Sequence, residues 1–252
     1  LGRLVGSEMC IRDSDEAESH IGSSAFYGAL LDRRAGTINP MGYCRGLARV
    51  AIAAGALISI GARAKKLQQE TGLWRVITNK GTLMARHVVL GTNAYTDDLW
   101  PGLKYSFTKI NYFQLATTPL GDRIKHILPQ QQGLWDTGKI MFSLRRDDSE
   151  RLIIGSMGNV MGNRSGGVSH RWAQKKLARL FPELGRVGFD EAWQGQIAMT
   201  PDHLPHIHKL ADNLYSPIGY NGRGITTGTV FGQALADLLT SDSEEKLPGP
   251  LL

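Results

Sequence analysis

Cysteine is scarce in this sequence, and long apolar runs are absent. With only two cysteines, Cys10 and Cys44, the chain has neither a disulfide framework nor a thiolate metal cluster, which favours a reducing compartment. No apolar run reaches the roughly 18 residues that a membrane-spanning helix requires. We therefore expect no membrane insertion and a cytoplasmic location.

A stripe of basic residues is also lacking, although the formal net charge is +6. The basic residues occur as scattered pairs, and aromatic residues do not alternate with them as they do on surfaces that bind single-stranded nucleic acid. This pattern does not favour a nucleic-acid partner. The small positive excess fits a protein that handles anionic phosphates or carboxylates.

Signatures of hydrolytic chemistry are missing as well. The sequence has no carboxylate pair, no Ser-His-Asp order and no reactive-cysteine context around Cys44. His203, His206 and His208 lie close to Asp202, but ligands of one type on a proline-bounded segment are poor support for zinc. We predict no metal site, and no residue is singled out as catalytic.

The most informative feature that is present is a glycine-rich turn between an apolar strand and a long helix, in residues 214–239. Gly219, Gly222 and Gly224 permit the backbone to approach a partner closely. The free amides at the helix start predict a site for an electron-rich or anionic group. A tightly packed strand-turn-helix joint without a ligand is the alternative that the turn alone leaves open.

With 252 residues, the chain is long enough for one large domain or two small ones. In the first part of the chain, the pattern of apolar and turn-forming residues predicts a hairpin over residues 22–37 and a strand over residues 56–60. Between them, the spacing of apolar residues predicts a helix over residues 41–54, with Leu47 and Val50 on its buried stripe.

The middle of the chain is rich in strand patterns. A meander of three short strands is predicted over residues 64–68, 73–78 and 82–90. The last of these ends in an apolar run, 87–90, that is typical of a strand buried on both faces. Residues 105–193 predict a second, antiparallel layer with one helix over residues 169–181.

Five segments then stand in an order that is typical of one family: residues 37–58, 90–96, 114–120, 193–205 and 219–239. In this order they resemble the FAD-dependent amine and amino-acid oxidoreductases of the D-amino-acid oxidase superfamily, nearest the gamma-glutamylputrescine oxidoreductase-like branch. The resemblance implies a mixed α/β (α+β) fold. It combines a partial FAD-binding Rossmann-like domain, lacking its first βαβ unit, with an antiparallel β-sheet substrate domain that has flanking helices.

One element of that family is missing. Its opening strand, GxGxxG turn and helix bind the ADP part of FAD, and no GxGxxG occurs in this chain. Residues 1–14 are expected to be a non-native head outside the fold, because SEMCIRDS resembles translated sequencing-adapter sequence. We therefore expect an N-terminally truncated fragment that binds FAD poorly and is inactive alone.

The same resemblance divides the rest of the chain into alternating parts of two domains. The substrate domain is expected to hold the hairpin over 15–37 and the sheet over 106–194. The FAD domain is expected to hold residues 38–105, with the meander, and 195–240, with the last helix. Residues 241–252 are expected to form a frayed tail.

The resemblance implies FAD as the cofactor and places the glycine-rich turn against it. The turn residues assigned to the cofactor are Gly219, Tyr220, Asn221, Gly222, Arg223, Gly224, Ile225 and Thr226. The others are Ala64 near the adenine, Thr92, Asn93 and Ala94 near the pyrophosphate and flavin, and Asp202 near the ring. Asn93 stands where the family has glycine, and asparagine tolerates a left-handed backbone. Arg223 as a surface residue and Asp202 as a turn cap remain open alternatives.

Tyr43 and Gln114 match family positions close to the substrate, although Tyr43 also suits a helix core. The resemblance implies that the complete enzyme oxidises the C–N bond of an amine or amino acid by hydride transfer to FAD. Whether it is an oxidase or a dehydrogenase stays open. A non-catalytic binding module or degenerate paralogue is the alternative, whereas an RNA-modifying flavoprotein fits the scattered basic residues poorly.

Overall fold

The computed structural model describes residues 9–163, 166–241 and 247–252. Residues 1–8 of the expected head and 242–246 of the expected tail lie outside the described residues. The fold is mixed α/β with mainly antiparallel sheets, as predicted. None of the helices in the described ranges is both long and apolar enough to cross a membrane.

The helices and strands alternate irregularly along the chain. The helices are α1 (Ser14–Ile21), α2 (Pro40–Ala53), α3 (Val168–Leu180) and α4 (Gly224–Ser241). The strands are β1 (Met9–Arg12), β2 (Ala29–Asp32), β3 (Ala64–Glu70), β4 (Leu73–Thr78), β5 (Gly81–Ala85), β6 (Val88–Val89), β7 (Thr108–Thr117), β8 (Leu134–Trp135), β9 (Phe142–Arg146), β10 (Leu152–Met157), β11 (Gly162–Asn163), β12 (Gly166–Gly167), β13 (Phe189–Met199), β14 (His206–Ala211) and β15 (Leu214–Ile218).

The chain divides into two compact units, each made of two separate stretches of sequence. Unit 1 contains the described residues up to Asn39 together with Asn111–Gly195. Unit 2 contains Pro40–Ile110 and the described part of Gln196–Leu252.

Unit 1 is built on a five-stranded sheet in the order β13-β7-β10-β9-β8. Side chains alternate between the two faces of a strand, so one face of this sheet carries the apolar residues Phe113, Leu115 and Ile154. Helix α3 covers that face, and the ring of its Trp172 meets Phe113 edge-on at 5.4 Å. The predicted antiparallel layer and the predicted helix at 169–181 are therefore confirmed.

Unit 2 contains two three-stranded sheets. The first has the order β3-β4-β5 and is the predicted meander. The second has the order β14-β15-β6, and in it β15 runs parallel to β6. Apolar side chains of α4, including Phe231 and Leu235, pack with Ile207 and Tyr215 of the second sheet. The predicted succession of apolar strand, glycine-rich turn and helix is confirmed.

The expectation that residues 1–14 lie outside the fold is wrong for residues 9–14. Strand β1 pairs antiparallel with β2, and the side chain of Asp13 caps α1 by accepting a hydrogen bond of 2.9 Å from the N–H of Glu16. The expected hairpin over 22–37 is also wrong, because β2 pairs with β1. Ala17 and Ile21 then anchor α1 in the core of unit 1.

The strand expected over residues 56–60 is not formed. The segment lies between Gly55 and Gly61, which both have positive φ, and Leu57 is 98 % exposed. An apolar run is a strand only where another strand supplies backbone partners, and no described strand pairs with this segment.

Helix α2 is confirmed within a residue at each end, but its apolar stripe is not buried. No residue of α2 is buried, and Leu47 and Val50 are 52 % and 69 % exposed. Periodicity predicted the helix correctly because it reports which residues share a face. It does not report whether an element of the same unit covers that face.

The apolar run that was expected to be one strand over 82–90 is split between sheets. Residues of β5 pair with β4, whereas Val88 and Val89 pair with β15. The expected burial of residues 87–90 on both faces is also wrong, because Val89 is 40 % exposed while Leu90 is buried.

The tail that was expected to fray over residues 241–252 is held at its last residues. Leu251 forms a parallel β-bridge with Ile207, and the N–H of Lys209 donates to the Leu252 carbonyl.

Candidate functional site

The turn after β15 is shaped by residues with left-handed backbone. Gly219, Asn221 and Gly222 have φ values of +80°, +49° and +83°. At Gly219 a Cβ would lie 2.2 Å from Cγ2 of Thr200, so that any side chain there collides with a buried residue. The turn therefore requires glycine at position 219 on both conformational and steric grounds.

Asn221 holds the turn against the end of β13. Its backbone N–H donates to the Ala198 carbonyl at 3.1 Å, and its Oδ1 accepts from the N–H of Thr200 at 2.9 Å. The amide nitrogen of Asn221 also donates to the Gly219 carbonyl. The side chain of Asn221, which was predicted to contact the cofactor, is thus engaged within the protein.

The loop after β6 is joined to the same turn. Oδ1 of Asn93 accepts a hydrogen bond of 3.1 Å from the N–H of Gly219, and Asn93 itself has φ of +42°. The hydroxyls of Thr92 and Thr96 are 2.7 Å apart, and Ala94 is buried. Because β6 and β15 are parallel, both loops follow the carboxyl ends of neighbouring strands, where α/β sheets commonly bind ligands.

Helix α4 presents an open N-terminus to this edge of the sheet. The N–H groups of Gly224, Ile225 and Thr226 have no acceptor among the described residues, since the first bond of the helix runs from Thr227 to the Arg223 carbonyl. Residues 222–226 are exposed. The guanidinium of Arg223 forms no ion pair within the described ranges. Free amides, the helix dipole and this charge together suit an electron-rich or anionic group.

Tyr220 occupies one face of α4. Its ring lies edge-on to Phe231 at 6.0 Å, and Cβ atoms added at Gly224 and Gly228 would fall 3.4 and 3.7 Å from it. Burial raises the pKa of the Tyr220 hydroxyl. The glycines on this face therefore accommodate the protein's own tyrosine, whereas a Cβ at Gly232 would meet nothing within 4 Å.

Asp202 lies in the turn between β13 and β14, where both of its carboxylate oxygens are engaged. Oδ1 accepts from the N–H of Leu204 at 3.0 Å, and Oδ2 is 2.9 Å from Nε2 of His206. The hydrogen bond from Leu204 is the main cause that lowers the pKa of Asp202. Asp202 therefore caps its own turn, which was the alternative left open from the sequence.

The neighbouring histidines differ in their surroundings. His208 is half-buried, and burial lowers its pKa, with the adjacent His206 adding to the effect. Its Nε2 is buried and has no hydrogen-bond partner. No set of three metal-ligating side chains lies together within the described ranges.

Ala64 and Tyr43 also belong to unit 2, but they sit on other elements. Ala64 begins β3 and lines a cleft of about 460 Å³ together with Arg63 and Asp97, whose side chains form an ion pair at 2.9 Å. The hydroxyl of Tyr43, on α2, is 2.8 Å from Oγ1 of Thr229 on α4. Tyr43 thus contacts the helix that carries the turn.

Gln114 belongs to unit 1, where it lies on β7. Its Nε2 is 3.4 Å from Oγ of Ser143, which also accepts a hydrogen bond of 3.1 Å from the Tyr112 hydroxyl. Sequence reasoning selected Gln114 and missed Tyr112, although the alternation of side chains along β7 places both on one face. Ser143 was not detectable, because its position depends on the pairing of β9 with β10.

A sequence model of the family described as FAD dependent oxidoreductase matches residues 3–238 of the chain. Among curated relatives, the gamma-glutamylputrescine oxidoreductase of Escherichia coli is 28% identical over 244 residues, which are 96% of this chain and 57% of that protein. The Haemophilus influenzae protein named "Probable oxidoreductase OrdL" is 26% identical over 241 residues, or 94% of this chain and 55% of that one.

Solved structures share the fold. The glycine oxidase from Geobacillus kaustophilus superposes with a TM-score of 0.76 at 19% identity, covering 94% of this chain and 64% of that one. The L-proline dehydrogenase from P. horikoshii gives a TM-score of 0.75 at 19% identity, with coverages of 96% and 67%. The chain spans about half the length of the curated relatives it matches. With a family match over nearly its whole length, the chain belongs to the FAD-dependent oxidoreductase family.

Proposed function

We propose that this chain supplies the flavin-holding turn and the substrate-facing sheet of an enzyme that oxidises the C–N bond of an amine or amino acid. The open N-terminus of α4, beside two loops that end parallel strands, is the observation that carries the proposal. The E. coli and G. kaustophilus relatives are named for reactions on an amine and on an amino acid, which supports the substrate class.

The residues of the turn fit the cofactor of the family. Three exposed amides without acceptors among the described residues, from Gly224 to Thr226, would donate to an electron-rich ring edge or carbonyl of the cofactor. Arg223 adds a positive charge beside them. When bound, FAD supplies the electrophile that takes the hydride from the carbon next to nitrogen. With FAD bound, the amides and Arg223 would favour negative charge on its ring.

Some of the other predicted residues support the turn or its helix, and others are proposed to border the cofactor. Asn93 and Asn221 hold its backbone in place through hydrogen bonds to Gly219 and Thr200. We propose that Ala64 offers main-chain contact to the adenine from its cleft, and that Thr92 and Ala94 border the pyrophosphate. We propose Tyr43 as a residue that positions α4 through Thr229.

A non-catalytic binding module is the second candidate, and one observation favours it. No GxGxxG fingerprint occurs in these 252 residues, so the chain offers no glycine-rich site of that type for the ADP part of FAD. We accordingly propose that the chain by itself binds FAD weakly and is inactive. A protein purified at its natural length separates the two candidates.

The decisive experiment follows the visible absorption of the natural-length protein during anaerobic addition of a panel of amines and amino acids. The enzyme proposal requires bound FAD and its bleaching by at least one donor. Gly224→Val should lower the FAD content, because its side chain would lie at the exposed amides and against Tyr220. Gly36→Val is the matched control, since a Cβ there meets nothing within 4 Å.

The outcomes are distinct. Colourless protein, or bound flavin that no amine bleaches, overturns the enzyme proposal and leaves the binding module. Equal FAD content in wild type and Gly224→Val overturns the assignment of the turn. Hydrogen peroxide formed on readmission of oxygen identifies an oxidase, and its absence with a bleached flavin identifies a dehydrogenase.

A further inference from the structure

The outer edge of β14 is paired with residues 247–252, which are called the end segment here. Strand β14 is the last strand in the order β14-β15-β6, so its outer side faces none of these strands. Leu251 forms a parallel bridge to Ile207 on that side. The N–H of Leu252 donates to the Ile207 carbonyl at 3.0 Å, and the N–H of Lys209 donates to the Leu252 carbonyl at 2.8 Å. The end segment therefore extends the sheet as a short parallel strand.

The backbone groups of β14 that bind the end segment point away from β15. Residues of an antiparallel pair alternate between those that bond to the partner strand and those that point outward. Ile207 stands opposite Pro217, which has no N–H to donate. Lys209, two residues along, stands opposite Tyr215 in the same phase of this alternation. Outward-pointing groups of this kind make a sheet edge a template for another strand.

Apolar side chains of α4 lie beside this edge. Phe231 and Leu235 of α4 form one cluster with Ile207, and each of the three is no more than 5 % exposed. Leu247 and Leu251 of the end segment pack against this cluster. The end segment is thus held by backbone hydrogen bonds on one side and by leucine side chains in an apolar groove. These are the two components of peptide recognition by strand addition.

The sequence of the end segment suits an extended ligand. It reads LPGPLL, with prolines at positions 248 and 250. Proline fixes φ near the value of an extended backbone, so these positions lose less conformational freedom on binding than other residues would. Proline also lacks the N–H that a longer ladder requires, and the pairing involves Leu251 and Leu252. A contact this short and preorganised is suited to release and rebinding.

We propose that the outer edge of β14 and the adjoining side of α4 form a peptide-binding groove, and that the end segment is its ligand within the same chain. The end segment then acts as a releasable clasp on α4. Tyr220, in the turn before α4, packs against the same cluster as Leu247 and Leu251. Release of the clasp should therefore loosen the packing around this turn. Binding in the groove does not depend on the proposed flavin chemistry.

The test separates the end segment from its groove. A variant of the natural-length protein that lacks residues 247–252 is mixed with a fluorescein-labelled peptide LPGPLL, and binding is followed by fluorescence anisotropy. We expect saturable binding to the shortened variant and at least about tenfold weaker binding to the complete protein, whose own end segment competes at high effective concentration. The urea midpoint of the shortened variant should be lower than that of the complete protein. Saturating peptide should raise it again.

Substituted peptides identify the contacts. N-methylation at Leu252 removes the N–H that donates to the Ile207 carbonyl, and it should weaken binding roughly fivefold or more. Leu251→Asp should prevent binding, because it places a charge against the buried cluster. Leu252→Asp is the matched control, since Leu252 is 56 % exposed. The control peptide should bind within about twofold of the parent peptide.

Each outcome supports or overturns the proposal. It is overturned if the shortened variant does not bind the peptide, if the complete protein binds it equally well, or if N-methylation leaves the affinity unchanged. If the shortened variant fails to fold, hydrogen exchange at the Lys209 amide is compared in the complete protein. Exchange that is faster in Leu251→Asp than in Leu252→Asp supports the clasp, and equal exchange overturns it. A dimer that depends on residues 247–252 would place the end segment on a second copy and overturn binding within one chain.

Discussion

Oδ1 of Asn93 accepts a hydrogen bond of 3.1 Å from the backbone N–H of Gly219, and the two residues are 126 positions apart in sequence. The bond ties the loop after β6 to the turn after β15. Both residues have positive φ, so each loop depends on a conformation that few side chains tolerate. The stability of the proposed flavin-binding edge should therefore depend on this pair.

Asn93→Ala should destabilise the protein by about 1–3 kcal/mol, because it removes the acceptor and places alanine at a left-handed position. Asn93→Gly loses the same acceptor but keeps an easy left-handed backbone, and it should cost about 1 kcal/mol. Urea unfolding of both variants separates the two contributions. If the alanine and glycine variants are equally stable, backbone conformation at Asn93 contributes nothing.

Gly219→Ala should cost about 2–5 kcal/mol, from left-handed strain and from a collision with Thr200. The added Cβ would lie 2.2 Å from Cγ2 of Thr200. Thr200→Ser removes that methyl and retains the hydroxyl that donates to the Leu204 carbonyl at 2.7 Å. In a double-mutant cycle, Thr200→Ser should therefore remove the steric part of the destabilisation caused by Gly219→Ala. The part that comes from the left-handed backbone should remain. Strict additivity of the two substitutions would mean that the turn moves away from Thr200.

Local sequence patterns predicted the turn well, because glycine and asparagine report the backbone that they permit. The positive φ of Asn93, Gly219 and Gly222 is one that their residue types permit. The hydrogen bonds that Asn221 donates to the Ala198 carbonyl and accepts from the N–H of Thr200 do not follow from residue type, since they depend on where β13 ends in space. Sequence therefore located the turn but could not tell that the asparagine side chain is used within the protein.

The failures of prediction share one cause, which is pairing between distant segments. Residues 56–60 have the composition of a strand but no described strand beside them, whereas residues 9–12 form one because β2 is available. The contacts of Ser143 with Tyr112 and Gln114 in unit 1 were missed for the same reason. Alternation along β7 indicates that Tyr112 and Gln114 share a face, but only the registers of β9 and β10 bring Ser143 to them.

His208→Gln should reduce the acid sensitivity of the protein. Burial holds the pKa of His208 in the folded state below its ordinary value of 6.5. Between that lowered pKa and 6.5, the unfolded chain binds more protons, so stability falls as the pH falls through this window. The His208→Gln variant lacks the titrating ring, so its free energy of unfolding should depend less steeply on pH within this window.

The measurement is the free energy of unfolding in urea at several pH values below neutrality. His87→Gln is the control, because His87 is exposed and precedes β6. We expect the slope of stability against pH to be shallower in His208→Gln than in His87→Gln and wild type. Identical slopes in all three proteins would show that His208 is as free to protonate in the folded state as in the unfolded chain.

Val50→Asp tests the uncovered face of α2. Val50 is 69 % exposed, and no residue of the helix is buried, so a charged side chain there should change the unfolding free energy of the 252-residue chain by less than about 0.5 kcal/mol. Ala173→Asp on α3 is the contrasting variant, since Ala173 is fully buried and an unpaired charge there should prevent stable folding. Exposed apolar side chains on α2 also favour self-association, which Val50→Asp should diminish in sedimentation velocity. A loss of several kcal/mol in Val50→Asp would mean that α2 is covered in solution, and a matching loss of an oligomer would identify a second copy of the chain as the cover.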